Sequence, residues 1–309
     1  MRKAAMQSIY RLAQRDPRVV FIGSDLGAGT LDEMRETIPE RWIMEGVSEA
    51  NVIGMAAGLA MEGFVPYVNT IATFLTRRCY EQIAIDLCLH NLPVRLIATG
   101  GGGVYAPLGP THMAVEDLAI MRALPNMTVV APVDPFEMER AMDASLEAPG
   151  PMYLRIAKGG EAVVTGDAEF ALGKAVRLRA GRDVAFVGTG VMSARALAAA
   201  ELLAADGIDA AVLHVHTLKP LDVAALEEAV RGKKLVVSVE EHTRVGGLGS
   251  AVAEVLAERG AGVPLLRLGL ADRFSRDYGN QDHVLSVAGL QPVDLRERVR
   301  ERLLVGAGV

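Results

Sequence analysis

Residues 45–69 read EGVSEANVIGMAAGLAMEGFVPYVN, and this stretch sets the pattern for the chain. Small and apolar residues over 49–61 predict a tightly packed helix, and Gly63 follows as a helix-ending signal. The β-branched residues at 65–69 then predict a short buried strand. A helix that leads directly into a buried strand is typical of a parallel α/β sheet.

The same alternation continues on both sides of this stretch. Strands are predicted at 18–22, 65–69, 94–98, 128–131 and 152–156, and helices at 4–14, 49–61, 74–89, 116–123 and 135–146. Glycine-rich sequence then interrupts the pattern, which resumes with strands at 184–188, 210–214, 234–239 and 265–268. A last helix is predicted at 294–304, with Asp294 as its N-cap. We therefore expect an α/β domain at 1–165, a linker at 166–182 and a second α/β domain at 183–309.

Composition and charge exclude several classes of protein. The chain has 309 residues and a net charge of −6, from 32 basic and 38 acidic side chains, with no basic cluster. Nucleic acid and anionic membrane surfaces are therefore poor partners, whereas small molecules and other proteins remain. Cys79 and Cys88 fit neither a disulfide framework nor a zinc pattern. With no secretory signal and no apolar run near about 20 residues, a cytoplasmic protein is expected.

Three glycine motifs resemble phosphate-binding loops. Gly188-Thr189-Gly190 follows a predicted strand, but a fingerprint's third glycine is replaced by Ala194 and the next strand lacks an acidic residue. The run 246–249, GGLG, has the same weakness, so both are interpreted as tight turns between a strand and a helix. The run 100–103 lacks the Lys-Ser/Thr of a phosphate loop and is interpreted as a loop that lines a cleft.

Two ionisable residues stand where chemistry is plausible. Glu49 opens the small-residue helix, either as a favourable partner of the helix dipole or as a partly desolvated proton donor or acceptor. His112 lies in the turn GPTHMAVED, either as a packing residue or as an acid/base group or hydroxyl ligand. His214 and His216 alternate along one strand without a third ligand, so a structural role is favoured over metal binding.

Several segments, taken in order, resemble the C-terminal half of transketolase from about Met1 to Leu304. They are GSDLG at 23–27, EGVSEANVIGMAAGLA at 45–60, TFLTRRCYEQI at 73–83, GPTHMAVEDLAIMRALPNMTVVAPVD at 109–134, HTLKPLD at 216–222, VEEHTRVGGLGSAVAEVLAE at 239–258 and LADRF at 270–274. The resemblance implies a pyrimidine-binding domain followed by the transketolase C-terminal domain, each a three-layer α/β fold with a parallel sheet.

The resemblance also implies that the chain binds thiamine diphosphate. Glu49 matches the glutamate that hydrogen-bonds N1′ of the aminopyrimidine and so promotes the tautomer that removes the C2 proton. The other residues implied to lie around the cofactor are Asp25, Leu26, Phe74, Arg77 and Tyr80. Of these, Arg77 stands where transketolases usually carry another aromatic residue. His112 matches the histidine that contacts substrate oxygens.

The substrate-binding pattern departs from the family in part. Arg155 matches a phosphate-binding arginine, and Lys158 is placed to assist it. Residues that bind substrate phosphate or a sugar hydroxyl in the family are replaced by Gly29, Gly100 and Leu108. Whether the substrates of this protein are phosphorylated is therefore open.

The diphosphate half of the cofactor site has no counterpart in the sequence. Thiamine diphosphate enzymes bind diphosphate and Mg²⁺ through a GDG motif and a later Asn, and no GDG occurs here. The resemblance therefore implies the C-terminal subunit of a split transketolase, a transferase of aldehyde or ketone groups. An N-terminal subunit in an α2β2 assembly would supply the Mg²⁺ site, and sugars or sugar phosphates would be the substrates.

Two other functions stay open. The chain could be the β subunit of a 2-oxoacid dehydrogenase or decarboxylase, or part of an enzyme like 1-deoxyxylulose-5-phosphate synthase. It could also be a regulatory or scaffolding homologue without activity. Retention of Glu49, Phe74 and His112 together argues against the inactive homologue.

Overall fold

A computed structural model describes residues 1–23, 29, 31–276 and 278–306, which form two sheets flanked by helices. The strands are β1 (Val19–Gly23), β2 (Trp42–Met44), β3 (Val65–Ile71), β4 (Arg95–Thr99), β5 (Thr128–Val130), β6 (Met152–Ile156), β7 (Val176–Arg179), β8 (Val184–Gly188), β9 (Ala210–His214), β10 (Thr217–Lys219), β11 (Leu235–Thr243) and β12 (Leu265–Leu270). Within the described residues, the first sheet has seven strands in the order β10-β5-β6-β4-β3-β1-β2, and the second has five in the order β12-β11-β8-β9-β7.

Helices connect most of these strands. They are α1 (Arg2–Arg15), α2 (Asp32–Thr37), α3 (Glu49–Met61), α4 (Ala72–Arg77), α5 (Tyr80–Gln82), α6 (Asp117–Ala123), α7 (Pro135–Ser145), α8 (Met192–Ala205), α9 (Val223–Val230), α10 (Leu248–Glu258), α11 (Gln281–Val287) and α12 (Pro292–Gly306). Short 3-10 turns lie at Pro39–Arg41 and Ala106–Leu108, and a π-helix runs over Ile83–Leu89. Capping side chains fix where several helices begin. At the start of α7, for example, the Asp134 carboxylate accepts from the backbone N–H of Glu137 at 2.9 Å.

Each sheet is covered on both faces. In β4, Leu96 and Ala98 pack into one hydrophobic core, whereas Ile97 between them packs into another that includes α1 and α7. Alternate residues of a strand point to opposite faces, so the central strands, buried on both sides, are mostly apolar. The prediction of α/β domains with parallel sheets and three layers is confirmed.

The two sheets differ from purely parallel ones at their edges. Strand β7 pairs antiparallel with β9, and it lies inside the segment 166–182 that the sequence predicts as a linker. Strand β10 follows in the second half of the chain but pairs antiparallel with β5 of the first sheet. The second half therefore supplies an edge strand to the first.

One hydrophobic core crosses between the two halves. Val52 and Leu96 of the first half and Val215 and Val252 of the second belong to the same buried cluster. Backbone hydrogen bonds also join the halves, including Thr243 N–H to the Val115 carbonyl at 2.7 Å. The two sheets thus share one interior, because neither half buries its apolar faces alone.

Two predicted helices need correction. The single helix predicted at 74–89 is α4, α5 and the π-helix in succession, because the chain turns at 78–79. The last helix begins at Pro292, two residues before the predicted N-cap Asp294. The Asp294 carboxylate nevertheless accepts from the backbone N–H of Gln291 at 3.1 Å, so it stabilises the helix start from within the first turn.

Candidate active site

Glu49 is a buried carboxylate at the start of α3. It is 6% exposed, and it lines a small crevice together with Gly46, Asn69 and other residues at the carboxyl end of β3. The Asn69 amide donates to the Ile97 carbonyl at 2.8 Å, whereas its Oδ1 has no hydrogen-bond partner among the described residues. The free Asn69 acceptor beside a buried carboxylate indicates a place for a polar ligand, because a buried acceptor is costly to leave without a partner.

Arg78 lies between Glu49 and the ring of Phe74. Its Nη1 donates to Glu49 Oε1 at 3.0 Å, and its guanidinium carbon lies 3.9 Å from the centre of the Phe74 ring. The Arg78 side chain remains 48% exposed, so the pair opens to solvent on that side. A planar cation therefore already fits between the carboxylate and the aromatic face.

The His112 ring also contacts the Phe74 ring. The two rings lie 5.0 Å apart in an edge-to-face arrangement, and His112 Nδ1 lies 2.9 Å from the hydroxyl of Thr111. The backbone N–H of His112 donates to the Gly109 carbonyl at 3.0 Å, which closes the turn in GPTH. Glu49, Phe74 and His112 are far apart in the sequence, but the fold brings them together, with Arg78 as a fourth member of the group.

Arg77, predicted to contact the cofactor, binds the His112 loop in this structure. Its Nη2 lies 2.9 Å from Glu116 Oε2, and it donates to the backbone carbonyls of Pro110 at 3.2 Å and Met113 at 3.1 Å. The pKa of Glu116 is lowered by Arg77, even though burial opposes the shift. Arg77 therefore positions the loop, and its role toward the cofactor stays a prediction.

The remaining residues predicted to lie around the cofactor are Tyr80, Asp25 and Leu26. The Tyr80 hydroxyl donates to the Ile120 carbonyl at 3.0 Å, and its ring packs against the core shared by the two halves. Asp25 and Leu26 lie outside the described residues. Their roles also stay predictions.

Arg155 is buried in a cluster of its own. Its Nε lies 2.9 Å from Asp117 Oδ2, and Asp117 also accepts from the Tyr153 hydroxyl at 2.7 Å. Its Nη2 donates to the backbone carbonyls of Ala114 and Glu241, at 3.1 and 2.8 Å, across the two halves. Burial opposes charge on Arg155, but Asp117 and Glu241 outweigh it and raise the pKa of the guanidinium. The structure therefore gives Arg155 a structural task, and its predicted contact with substrate phosphate is untested.

The structure shows what surrounds two of the positions that depart from the family pattern, Gly100 and Leu108. At Gly100, one of the positions where the resemblance implies a replaced substrate-binding residue, an added Cβ would lie 2.1 Å from the ring of Tyr105. Gly100 also has a φ of +82°, which other residues rarely adopt. Tyr105 therefore fills the space that a larger residue would need. Leu108 is 55% exposed, and Lys158 is exposed two residues after β6.

The glycine motifs are filled by the protein itself. The Glu240 carboxylate accepts from the backbone N–H groups of Leu248 at 2.7 Å and Gly249 at 2.8 Å. It therefore occupies the free N–H groups at the start of α10. At Gly102, in the run 100–103, an added Cβ would meet the Glu241 side chain at 2.3 Å. Gly102 therefore permits close packing across the two halves, and in the run 246–249 the protein's own carboxylate occupies the N–H groups that a phosphate would need.

His214 ends β9 and belongs to a buried polar chain, whereas His216 lies in the bend before β10, so the two histidines do not share one strand as predicted. His214 Nε2 lies 2.8 Å from Glu137 Oε2, and its Nδ1 lies 2.6 Å from the Ser193 hydroxyl. Burial lowers the pKa of His216 to about 4, and its ring stacks on Phe170. In the described part of the chain, no group of three or more metal-ligating side chains occurs, and no helix is long and apolar enough to span a membrane.

Sequence reasoning missed Arg78 and the Asp117–Arg155 pair. The only signal for Arg78 is the doubled arginine in TFLTRRCYEQI, of which Arg77 fits the family position. The signal for the buried pair is a charged residue inside the apolar strand MYLRI. A charge in a strand that is buried on both faces usually has a partner.

Comparisons with known proteins identify the family of the chain. The family models "Transketolase, pyrimidine binding domain" and "Transketolase, C-terminal domain" match residues 1–160 and 173–295. The 6-deoxy-6-sulfo-D-fructose transketolase subunit SqwH of Clostridium sp. (strain MSTE9) is 38% identical over 303 residues, which cover 97% of this chain and 94% of that protein. The 1-deoxy-D-xylulose-5-phosphate synthase of Thioalkalivibrio sulfidiphilus is 40% identical over 301 residues, 96% of this chain and 46% of that protein, so the chain spans less than half of that enzyme.

A solved structure is similar over nearly the whole chain. It is described as "Split gene transketolase, inactive beta4 tetramer", with a TM-score of 0.89, 37% identity, and coverage of 97% of both chains. The matched domains lie in the same order and cover both sheets. The chain belongs to the transketolase family, with its pyrimidine-binding and C-terminal domains in that order.

Proposed function

We propose that this protein is the C-terminal subunit of a split, thiamine-diphosphate-dependent transketolase. Together with an N-terminal subunit, it transfers a two-carbon ketol group from a ketose to an aldose. The observation that carries the proposal is the group formed by Glu49, Phe74 and His112, with a planar cation held between the carboxylate and the ring.

The residues present fit the aminopyrimidine end of thiamine diphosphate. Glu49 provides a buried carboxylate, Phe74 a partly buried aromatic face, and Asn69 a free buried acceptor in the crevice beside Glu49. A protonated, planar heterocycle could take the place of the Arg78 guanidinium, because both are flat cations that donate to a carboxylate. When bound, the cofactor supplies a carbanion that adds to the substrate carbonyl and then accepts its electrons.

The chain's own residues have separate tasks in this proposal. Glu49 would hold a proton at the N1′ end of the cofactor site, and Phe74 would orient the ring that carries it. His112 would donate a hydrogen bond to a substrate oxygen, and Arg77 would keep the His112 loop in place through its contacts at 110–116. Lys158, exposed beyond β6, would assist any anionic group of the substrate.

The partner subunit would complete the site. The sequence has no GDG motif, so we assign the diphosphate and Mg²⁺ sites to an N-terminal subunit in an α2β2 assembly. Val47, just before α3, is 71% exposed although it is apolar. Because its neighbour Gly46 lines the Glu49 crevice, an exposed Val47 supports a partner surface there.

Reconstitution of the two subunits tests the proposal. The purified chain is expected to show no turnover, whereas the co-purified pair should transfer a ketol group to an aldehyde acceptor. The donor panel includes ketose phosphates and 6-deoxy-6-sulfo-D-fructose, because one relative is named for that sugar and the phosphate pattern here is altered. Turnover by the single chain would contradict the shared site.

The same assay separates this function from the main alternative. The similarity to 1-deoxy-D-xylulose-5-phosphate synthase favours a second candidate, in which the donor is pyruvate and CO₂ is released. Release of CO₂ from pyruvate without any transfer from ketose donors would establish that candidate instead.

Replacement of Arg78 by alanine is expected to tighten binding of thiamine diphosphate to the assembled enzyme. The cofactor must displace an ion pair and a cation–π contact that together contribute about 1 to 2 kcal/mol at a half-exposed position. Affinity should therefore rise about five- to thirtyfold, measured by calorimetric titration. Arg78→Lys keeps the charge but not the flat guanidinium. Its affinity for thiamine diphosphate should therefore lie between those of the wild type and Arg78→Ala. Weaker binding in Arg78→Ala would mean that Arg78 is itself a cofactor ligand.

A further inference from the structure

A cleft between the two halves collects arginine side chains. Its volume is about 1090 Å³ including the open mouth, and it lies between the His112 loop, the end of β12 and the helices α11 and α12. The arginines that line it are Arg77, Arg244, Arg267, Arg273 and Arg298. None of the described lining residues is acidic.

Among the described residues, most of the arginines of this cleft have no salt-bridge partner. Arg77 is paired with Glu116, but Arg244, Arg267, Arg273 and Arg298 form no ion pair with any carboxylate in the described ranges. Arg267 is held in place, since its Nη1 donates to the Arg244 carbonyl at 3.0 Å. In a chain with a net charge of −6, four such arginines around one volume produce a local positive potential that attracts anions.

Most of the remaining lining of the cleft is apolar. Leu268, Leu270, Val284 and Leu290 form a buried floor, each 9% exposed or less. Phe274 lines the same cleft and is 80% exposed, which is unusual for an aromatic side chain. A ligand that suits these walls carries an anionic group at one end and a flat apolar group at the other.

We propose that this cleft binds a small organic phosphate, or a similar doubly charged oxyanion, that carries an apolar group. The guanidinium groups pair with its oxygens through two-pronged hydrogen bonds, and the apolar group packs on the Leu268–Leu270 floor and the Phe274 ring. Arg155 and Lys158, the residues predicted to bind substrate phosphate, do not line this cleft. The inference therefore stands independently of the proposed ketol transfer.

Calorimetric titration of the full chain with phenyl phosphate tests the proposal. We expect saturable binding at one site per chain that weakens as salt rises. Inorganic phosphate should bind more weakly because it lacks the apolar group, and benzyl alcohol should not bind. Equal affinity for inorganic phosphate, or binding of benzyl alcohol alone, would overturn the proposed two-part recognition.

Variants locate the site. Arg244→Gln together with Arg298→Gln should weaken phenyl phosphate binding about tenfold or more, because two charge-assisted contacts are lost. Arg273→Gln alone should give a smaller loss. Arg302→Gln is the matched control, since Arg302 lies one turn after Arg298 on α12, is exposed and does not line the cleft.

Lys158→Gln separates this site from the candidate active site. It should bind phenyl phosphate as the wild type does, and its melting temperature should be unchanged because the side chain is exposed. Loss of binding in Lys158→Gln, or wild-type affinity in the Arg244/Arg298 double variant with an intact circular dichroism spectrum, would refute the proposal. Both results concern binding alone, so they leave the reconstitution assay unaffected.

Discussion

Glu49→Ala is expected to reduce ketol transfer by the reconstituted enzyme about 10²- to 10⁴-fold, the range for loss of a general acid–base group. Glu49 is the buried carboxylate at the start of α3, and no other described carboxylate lines its crevice. Folding should be preserved, because the partner of Glu49 is the half-exposed Arg78, which can turn to solvent when the pair is broken. The measurement is steady-state turnover, with subunit assembly followed by analytical ultracentrifugation.

Glu45→Gln provides the control for this substitution. Glu45 lies four residues earlier, in the loop between β2 and α3, is only partly buried and does not line the Glu49 crevice. Its replacement should leave turnover near the wild-type value. Glu49→Gln, which keeps the shape and removes the charge, should lose activity as the alanine variant does. Wild-type turnover in either Glu49 variant would contradict the assigned role.

Arg155→Met is expected to lower the free energy of unfolding by about 3 to 5 kcal/mol, because it leaves the Asp117 carboxylate buried without its cation. Asp117 is 0% exposed and retains only the Tyr153 hydroxyl as a described partner. The substitution also removes the hydrogen bonds of Arg155 to the Ala114 and Glu241 carbonyls. Urea titration followed by circular dichroism measures the loss.

Two further variants make this test specific. Arg155→Met combined with Asp117→Leu should cost less than the two single changes together, since no unpaired charge remains. Arg182→Gln removes a surface pair with Asp209, in which Arg182 is 89% exposed, and should leave the urea midpoint almost unchanged. If Arg155→Met instead left stability unchanged and raised KM for phosphorylated substrates, Arg155 would be a substrate ligand as the family resemblance implies.

The sequence predicts the parts of this fold that depend on local pattern. The bounds of α3 and β6 are predicted to the residue, because a run of small or β-branched residues ends at clear turn signals. The short strand β10 could not be predicted, since three residues carry no periodicity and their partner β5 lies far away in the chain. The break in the helix predicted at 74–89 likewise depends on packing against α3 and α6 rather than on local propensity.

The candidate site was predictable in its members but not in their contacts. Glu49, Phe74 and His112 follow from motif and resemblance, and they lie together. Adjacent arginines on a helix point about 100° apart, so sequence cannot tell whether Arg77 or Arg78 reaches Glu49. The burial of Arg155 beneath the second half depends on the approach of Glu241, which is distant in sequence and carries no pairing signal.

Strand β10 has a consequence for how the chain can be divided. Because residues from beyond the glycine-rich segment 166–182 complete the edge of the first sheet, a proteolytic cut in that segment would release no free domain. The fragments would stay associated through the β5–β10 pairing and the core that they share. If they were separated, the first fragment would expose an unpaired strand edge that favours aggregation. The two halves are therefore a single unit of folding and of engineering, even though each carries its own sheet.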